Sequence, residues 1–351
     1  MKKRYLVLII CSVTLAYLCF YPVSMDPANW TPPTNLGFKG TFQQNQKLES
    51  IQYLFANQCH KCEDVAIDKN GNIYGGSEEG DLIQFSPSGQ RKVLFNTNGR
   101  PLGLDFDSLG NLYIADADKG LLLFDKSKQL TTLSTECNGR KFAFVDDLEV
   151  GTDGQIYFSD ASWKFPIAQY KLDLLEHRPN GRLLSYNPKT KKTSLLLDDL
   201  YFANGIAVAK DGSFVLVNET GKYRVTRYWL KGPQKGKHDI LIDNLPGFPD
   251  GISRGENGIF WIAFTSPRQK NLDGIMPYPF LRKMVVRLPD FLQPKPIDYS
   301  FVIGIDSKGT VKYNLQDPKG KFAQITSVQQ IGSDLYFGSL GENGIGRFKL
   351  N

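Results

Sequence analysis

From residue 51 onward, short runs of alternating apolar and polar residues are separated by turns rich in Asp, Asn and Gly. The stretch Asp146–Asp160 shows the unit most completely: a strand, an Asp-Gly turn at Asp153-Gly154, then a second strand with period-two alternation. Asp68–Tyr74, Asp107–Tyr113, Lys210–Val215 and Glu256–Trp261 repeat the turn and place an apolar residue three positions after its glycine, and Gly332–Tyr336 is a looser sixth copy. A supersecondary unit of short strands recurring at long intervals predicts a radial array of small sheets. The expected fold is all-β: a six-bladed β-propeller over residues 51–351, each blade running from an inner strand outward. Ile51–Phe55 precedes the first inner strand. Its natural place is as the outer strand of the last blade, which closes the ring and removes a free sheet edge.

Two connections between second and third strands are long, Ala161–Asn180 and Thr265 to about Ser300. Antiparallel pairing puts them on the face where the inner strands start. The first carries Leu172, Leu174 and Leu175 near helical spacing, and the second has an apolar run, Phe280–Leu292, with Arg282, Lys283 and Arg287. Long insertions on such a face commonly act as lids or pocket walls, and contact with a membrane is the alternative for the second.

The repeat also has a chemical phase. Eight residues before the turn glycines (71−8, 110−8, 154−8, 212−8, 258−8) stand Glu63, Leu102, Asp146, Asn204 and Asp250. These positions start inner strands, so in a closed ring they face one another across the channel. The sixth copy offers Ile325 or Thr326. Two carboxylates about 4 Å apart repel by about 4 kcal/mol at an effective dielectric of 20. A shared cation removes that cost. All-oxygen ligation by Glu63, Asp146, Asn204 and Asp250 selects a hard ion, and Ca²⁺ tolerates irregular geometry better than Mg²⁺. The plainer reading is that these are turn and cap residues, as Asp and Asn often are. Asp64 and Asp147, the next residues on two of the strands, are candidates for a second ion or for buried hydrogen bonding. Asp116, Asp160 and Glu219 end second strands on the same face and are candidate supports for the ring.

The remaining composition narrows the compartment and the partners. Residues 5–23 are almost wholly apolar and follow Lys2-Lys3-Arg4. At 1.5 Å per residue such a run spans roughly 28 Å, close to the hydrocarbon thickness of a bilayer. The reading is a cytoplasmic basic flank and signal anchor over residues 1–24, a stalk over 25–50, and a propeller on the periplasmic, lumenal or extracellular side. Secretion after signal cleavage is the rival. The net charge of +6 owes three units to Lys2, Lys3 and Arg4, and the rest forms no basic stripe, which argues against nucleic acid as a partner. Outside the apolar run stand Cys59, Cys62 and Cys137. Cys59-His60-Lys61-Cys62 looks like a redox or zinc half-site, but only three histidines occur in the chain. A staple from Cys137 to Cys59 or to Cys62 is the other expectation. Asn29 and Asn218 begin glycosylation-type triplets.

Several runs carry a family resemblance: Arg100–Leu104, Leu112–Ala117 with Gly120–Leu122, Gly181–Pro188, Phe202–Ile206, Glu219-Thr220 with Arg227–Pro233, and Asn244–Asp250. Occurring in this order, they resemble the strictosidine synthase-like proteins, in particular their membrane-anchored branch. The resemblance implies a propeller related to paraoxonases, gluconolactonases and diisopropylfluorophosphatase, in which channel calcium polarises an ester, lactone or phosphoester oxygen. That ligand pattern carries over onto Glu63, Asn204 and Asp250, with Asp250 matching the carboxylate assigned there as nucleophile or base. Asp146 stands where the pattern usually has Asn. Leu102 occupies the position of the paraoxonase-type histidine. Strictosidine synthase itself condenses an amine with an aldehyde, without metal, through a glutamate on the inner strand of blade six; Gln324–Val328 has none.

The expectation is therefore a membrane-anchored, Ca²⁺-dependent hydrolase of small esters or lactones, with Asp250 catalytic. A non-catalytic, calcium-stabilised binding propeller is the alternative, and amine–aldehyde condensation a disfavoured third.

Overall fold

A computed structural model describes residues 2–350; Met1 and Asn351, the outer ends of the expected anchor and propeller, lie outside the described residues. Six four-stranded antiparallel sheets form the blades. Their inner strands are Val65–Ile67, Pro101–Phe106, Val145–Val150, Ala203–Val208, Gly247–Arg254 and Ile325–Ile331. Gln52–Leu54 pairs antiparallel with Ile345–Lys349, so the first strand of the chain is the outer strand of blade six and the ring closes as expected.

The alternation explains the packing. Each sheet presents one row of apolar side chains to the blade before it and one to the blade after. Between blades one and two this places Ala66, Tyr74 and Leu82 against Leu104, Leu112 and Ile114, each large side chain contributing about 1.5–3 kcal/mol on burial. The strand Ala203–Val208 is buried at all six positions, because it has a blade on either side.

The inner strands are not regular at their starts. Register shifts fall between Pro101 and Leu104, Val145 and Leu148, Ala203 and Ile206, Pro249 and Ile252, and Ile325 and Ser327. A bulge releases a residue from the ladder and re-aims its side chain. Leu102, Asp146, Asn204, Asp250 and Thr326 all lie in these bulges, which is how a residue near a strand end turns into the channel. Neighbouring bulges approach so closely that a side chain following the ring residue has little room. A Cβ on Gly205 would lie 2.2 Å from the Ile252 nitrogen, and one on Gly251 would lie 2.3 Å from the Thr326 carbonyl oxygen.

Four helices lie outside the blades: α1 (Lys2–Phe20), α2 (Tyr170–Glu176), α3 (Lys270–Ile275) and α4 (Pro279–Val286). α1 meets the length and apolarity needed to cross a membrane, with mean hydropathy 1.6 over Lys3–Phe20 and no residue of that window buried. It stops short of the predicted apolar run because Pro22 disfavours helix at Tyr21. α2 and α4 fall in the two long loops, as expected; α3, an additional short helix, had no clear sequence signal. Residues 25–50 lie against the propeller, with Met25 in a cluster of lid residues, Phe38 stacked on Tyr299 at 4.9 Å, and Leu48 fully buried.

Two cysteine and asparagine expectations are corrected. Cys59 pairs with Cys62, with Cα atoms 5.6 Å apart, in the turn that leads into Glu63. Cys137 is a buried thiol facing the Thr193 carbonyl in blade three, so it staples nothing. Asn218 is fully buried and donates to the Asp250 carbonyl oxygen at 2.6 Å, out of reach of any glycosylation machinery. Asn29 is exposed.

Candidate active site

Glu63, Asp146, Asn204 and Asp250, from blades one, three, four and five, border a single cavity of about 630 Å³ at the top of the channel. All four are buried. Leu102 from blade two completes the floor, and Phe144, Phe202, Leu174, Phe248 and Met276 line the apolar walls. The two loops supply part of those walls, as a lid should. Thr326 of blade six donates to the Glu63 carbonyl oxygen at 2.5 Å and ties the last blade to the first.

The electrostatics are those of crowded like charges. Burial pushes the Glu63 carboxyl well above its usual range, and Asp146 and Asp250 push it further. Asp146 is raised by burial and then by Asp250. Burial lifts Asp250 to about 7, while the neighbouring Glu63 and Asn204 side chains pull it back down. One cation offsets this. Arg100 is buried at the cavity edge, holds the Gly76 and Lys61 carbonyl oxygens, and lowers both Glu63 and Asp146. Nothing in the repeat phase pointed to Arg100, which stands two residues before Leu102 at the entry to its strand.

Asp146 Oδ2 and Asp250 Oδ1 are buried without a hydrogen-bond partner, as is Asn218 Oδ1 behind Asp250. Unsatisfied buried carboxylate oxygens are costly, and at this site they belong to an all-oxygen donor set. In donor chemistry and in unspent oxygens the residues fit a hard divalent cation. The four would hold it. As placed, no three His, Cys, Asp or Glu side chains among the described residues are drawn together tightly enough to grip an ion. Mutual repulsion of the three carboxylates opposes that approach.

One to three residues deeper, the chemistry changes. Asp64 Oδ1 accepts from Val65 N–H and Oδ2 from Leu104 N–H of blade two, at 2.7 and 2.8 Å. Asp147 does the same with Leu148 and with Ile206 of blade four, at 2.8 and 2.7 Å. Asp105 reaches Val150 N–H and Glu149 reaches Val208 N–H, at 2.8 and 2.7 Å. These bonds make Asp64 and Asp147 staples between blades, the hydrogen-bonding alternative named for them. The three strand-end acids divide as well. Asp160 is paired with buried Arg182 and Glu219 with Arg224, while Asp116 accepts from the Arg100 backbone N–H and so steadies the strand that carries Leu102.

The histidines are elsewhere. His60 is exposed beside Glu79. His177 is buried in left-handed backbone after α2, stacked 3.7 Å from the Trp30 ring. Burial and the Lys222, Arg282 and Arg224 charges lower it to about 2, which leaves it neutral.

Fold and site thus define a six-bladed propeller with an acidic, lidded cavity at one end of its channel. Solved structures share this architecture. A gluconolactonase from Xanthomonas campestris aligns with TM-score 0.63 at 16% identity over 86% of this chain and 89% of that one. Regucalcin from Agrobacterium tumefaciens, described as a calcium-binding protein, aligns with TM-score 0.61 at 16% identity over 85% and 93%. The strictosidine synthase model matches residues 146–233, and the strictosidine synthase-like N-terminal model matches residues 40–85. Strictosidine synthase-like protein 4 of Arabidopsis thaliana is 34% identical over 97% of this chain and 92% of its own length. Adipocyte plasma membrane-associated protein of Bos taurus is 32% identical over 94% and 85%. The chain belongs to the strictosidine synthase-like family.

Proposed function

We propose that the chain is a Ca²⁺-dependent hydrolase of small esters or lactones, anchored in a membrane by α1. One observation carries the reading: four oxygen-bearing side chains from four blades border one lidded apolar cavity, with two of their buried oxygens unspent. Glu63, Asp146, Asn204 and Asp250 would hold the ion, which when bound would supply Lewis-acid polarisation of a carbonyl oxygen. The protein's own contribution is positional. The bulges aim the four side chains inward, Asn218 and Thr220 fix the Asp250 strand through the Asp250 and Pro249 carbonyl oxygens, and the lid walls exclude water from an apolar acyl or aryl group. Asp250, buried in the cavity with an oxygen that has no donor, is placed to accept a proton from water. The distant lactonase-type neighbours support the fold and, by analogy only, the chemistry.

The binding-module reading keeps one observation in its favour: Leu102 fills the floor where a basic side chain could have moved protons. Amine–aldehyde condensation gains nothing, since the inner strand Ile325–Ile331 carries no acid. A panel of phenyl acetate and lactones, run with and without chelator, separates the readings. Turnover that EDTA abolishes and Ca²⁺ restores supports the hydrolase. Ca²⁺ binding without turnover of any panel member supports the binding module.

A further inference from the structure

The lid is joined to the end of the candidate membrane helix. Arg287, capping α4, is buried and donates from Nε to the Tyr21 carbonyl oxygen at 2.6 Å and from a terminal nitrogen to the Leu18 carbonyl oxygen at 2.7 Å. Those carbonyls belong to the C-terminal end of α1, which lacks intrahelical partners and carries partial negative charge. Val23 and Met25 continue the joint by packing with Val285, Val286 and Met276 of the lid. Arg282, also buried, donates to the Leu175 and Ala28 carbonyl oxygens, so α2, α4 and the chain leaving α1 form one body.

On the outside of that body the apolar residues are uncovered. Phe291 is 73% exposed, Leu292 and Tyr278 57% each, and Phe280 53%. A solitary exposed apolar residue needs no account, but a patch continuous with a membrane-spanning helix does. The headgroup layer is roughly 5–8 Å deep on each side of the hydrocarbon, and interfacial helices bury their apolar face by about 5–10 Å. Since Arg287 touches the residue that follows α1, α4 falls within that depth.

We propose that α4 and the turn Asp290–Leu292 lie in the headgroup layer of the bilayer that carries α1, so that the lidded cavity opens beside lipid. The occupant of the patch is the membrane surface. The inference rests on α1 as an anchor. On the hydrolase reading it also selects the substrate class: an ester or lactone with a hydrocarbon tail, taken from the bilayer past an apolar wall that includes Leu174, Leu272 and Met276.

The test uses the full chain in phosphatidylcholine vesicles, with Cys11 and Cys19 replaced by serine and buried Cys137 left in place. A cysteine carrying an environment-sensitive fluorophore is introduced as Phe291→Cys, and separately as Phe280→Cys in case the first variant folds poorly. Leu109→Cys, in an exposed turn on the opposite face of the propeller, is the control. The expected result is a blue shift and at least about twofold quenching by shallow nitroxide-labelled lipid at residues 291 and 280, and none at 109. Equal, unquenched signals at all three in chains that resist carbonate extraction overturn the proposal. So does a blue shift without lipid quenching that depends on protein concentration, which assigns the patch to a second copy. Release of the chain by carbonate overturns it through the anchor.

The substrate clause has its own readout. Combining Phe280→Asp, Phe291→Asp and Leu292→Asp should lower hydrolysis of a vesicle-dissolved decyl ester at least tenfold and leave phenyl acetate unchanged. Equal effects on both overturn that clause. Absence of turnover of either ester by the unaltered chain tells against the hydrolase, and the fluorescence result still decides the docking.

Discussion

Two tiers of acid line the same channel, one to three residues apart in sequence, and they are spent differently. In the deeper tier Asp64, Asp105, Asp147 and Glu149 each give an oxygen to a backbone N–H of the next blade. In the upper tier Asp146 and Asp250 keep a buried oxygen with no partner. Glu63, Asp146, Asp250 and Glu149 are buried, Asp64, Asp105 and Asp147 are half-buried, and desolvation raises the carboxyls of both tiers. Acid content and a raised carboxyl therefore do not distinguish a candidate ligand site from a structural one. What distinguishes them is whether each lone pair already has a donor. The deeper carboxylates act as fasteners at the point where blades lack a shared backbone ladder. The upper ones have been left available.

The contrast can be broken by substitution. Asp250→Asn should cut ester turnover by about a hundredfold to ten-thousandfold, the range for losing a positioned base, with little change in melting temperature when both chains are compared in chelator. Steady-state kinetics and a thermal melt on one preparation check this. Asp147→Ala should do the reverse. Leu148 and Ile206 N–H lose their acceptor, which costs about 3 kcal/mol in denaturant unfolding, while Ca²⁺ affinity per folded molecule stays the same. Stripping the ion with a chelator should destabilise the unaltered chain by about 2.7 kcal/mol relative to Ca²⁺ at a hundredfold excess over its Kd. The same treatment should leave Asp250→Asn nearly unmoved.

Acid sensitivity needs its own control, because His177 lies in the lid and not in either tier. Its folded value of about 2 is below the ordinary 6.5, so the unfolded chain binds the extra proton between these values. Stability from this group is fully present above pH 6.5 and is lost as pH falls, about 2 kcal/mol by pH 5. Urea unfolding of the parent and His177→Gln at pH 7 and pH 5 isolates it: the raised carboxyls gain stability alike in both chains as pH falls, so the parent should lose about 2 kcal/mol relative to His177→Gln. The smallest effect belongs to Cys59→Ser with Cys62→Ser. The disulfide closes a loop of sequence separation 3, and so short a loop is worth about 2 kcal/mol or less on loop-closure entropy. A larger loss of Ca²⁺ affinity than of stability would show that the turn also sets Glu63.

How much of this was legible in the chain follows from which interactions are local to the repeat. The ring residue stands eight positions before the turn glycine in five blades, so the phase that picked out Glu63, Asp146, Asn204 and Asp250 also brought them to one cavity. Blade closure by Gln52–Leu54 and helix α2 were legible for the same reason, since strand alternation and helical spacing are local patterns, whereas α4 showed only as an apolar run and α3 not at all. The second tier was legible only in part: Asp64 and Asp147 stood as candidates for buried hydrogen bonding or a second ion, whereas Asp105, Glu149 and the partners of all four did not. Asp64 meets Leu104 N–H across 40 residues and Asp147 meets Ile206 N–H across 59, and the partner is a backbone group, which leaves no mark on residue type. Arg100 was missed because its acceptors are carbonyl oxygens. The cysteine pairing had two long-range candidates and one local alternative, and the local turn prevailed. His177 was hidden because burial, stacking and a left-handed backbone depend on Trp30, far away in sequence.

The most direct test of the upper tier as a cation site is a calorimetric Ca²⁺ titration of the unaltered chain beside Asp146→Ala and Asp147→Ala. One ion per chain, lost in Asp146→Ala and retained in Asp147→Ala, is the predicted result. No ion in the unaltered chain, or one that survives Asp146→Ala, contradicts it.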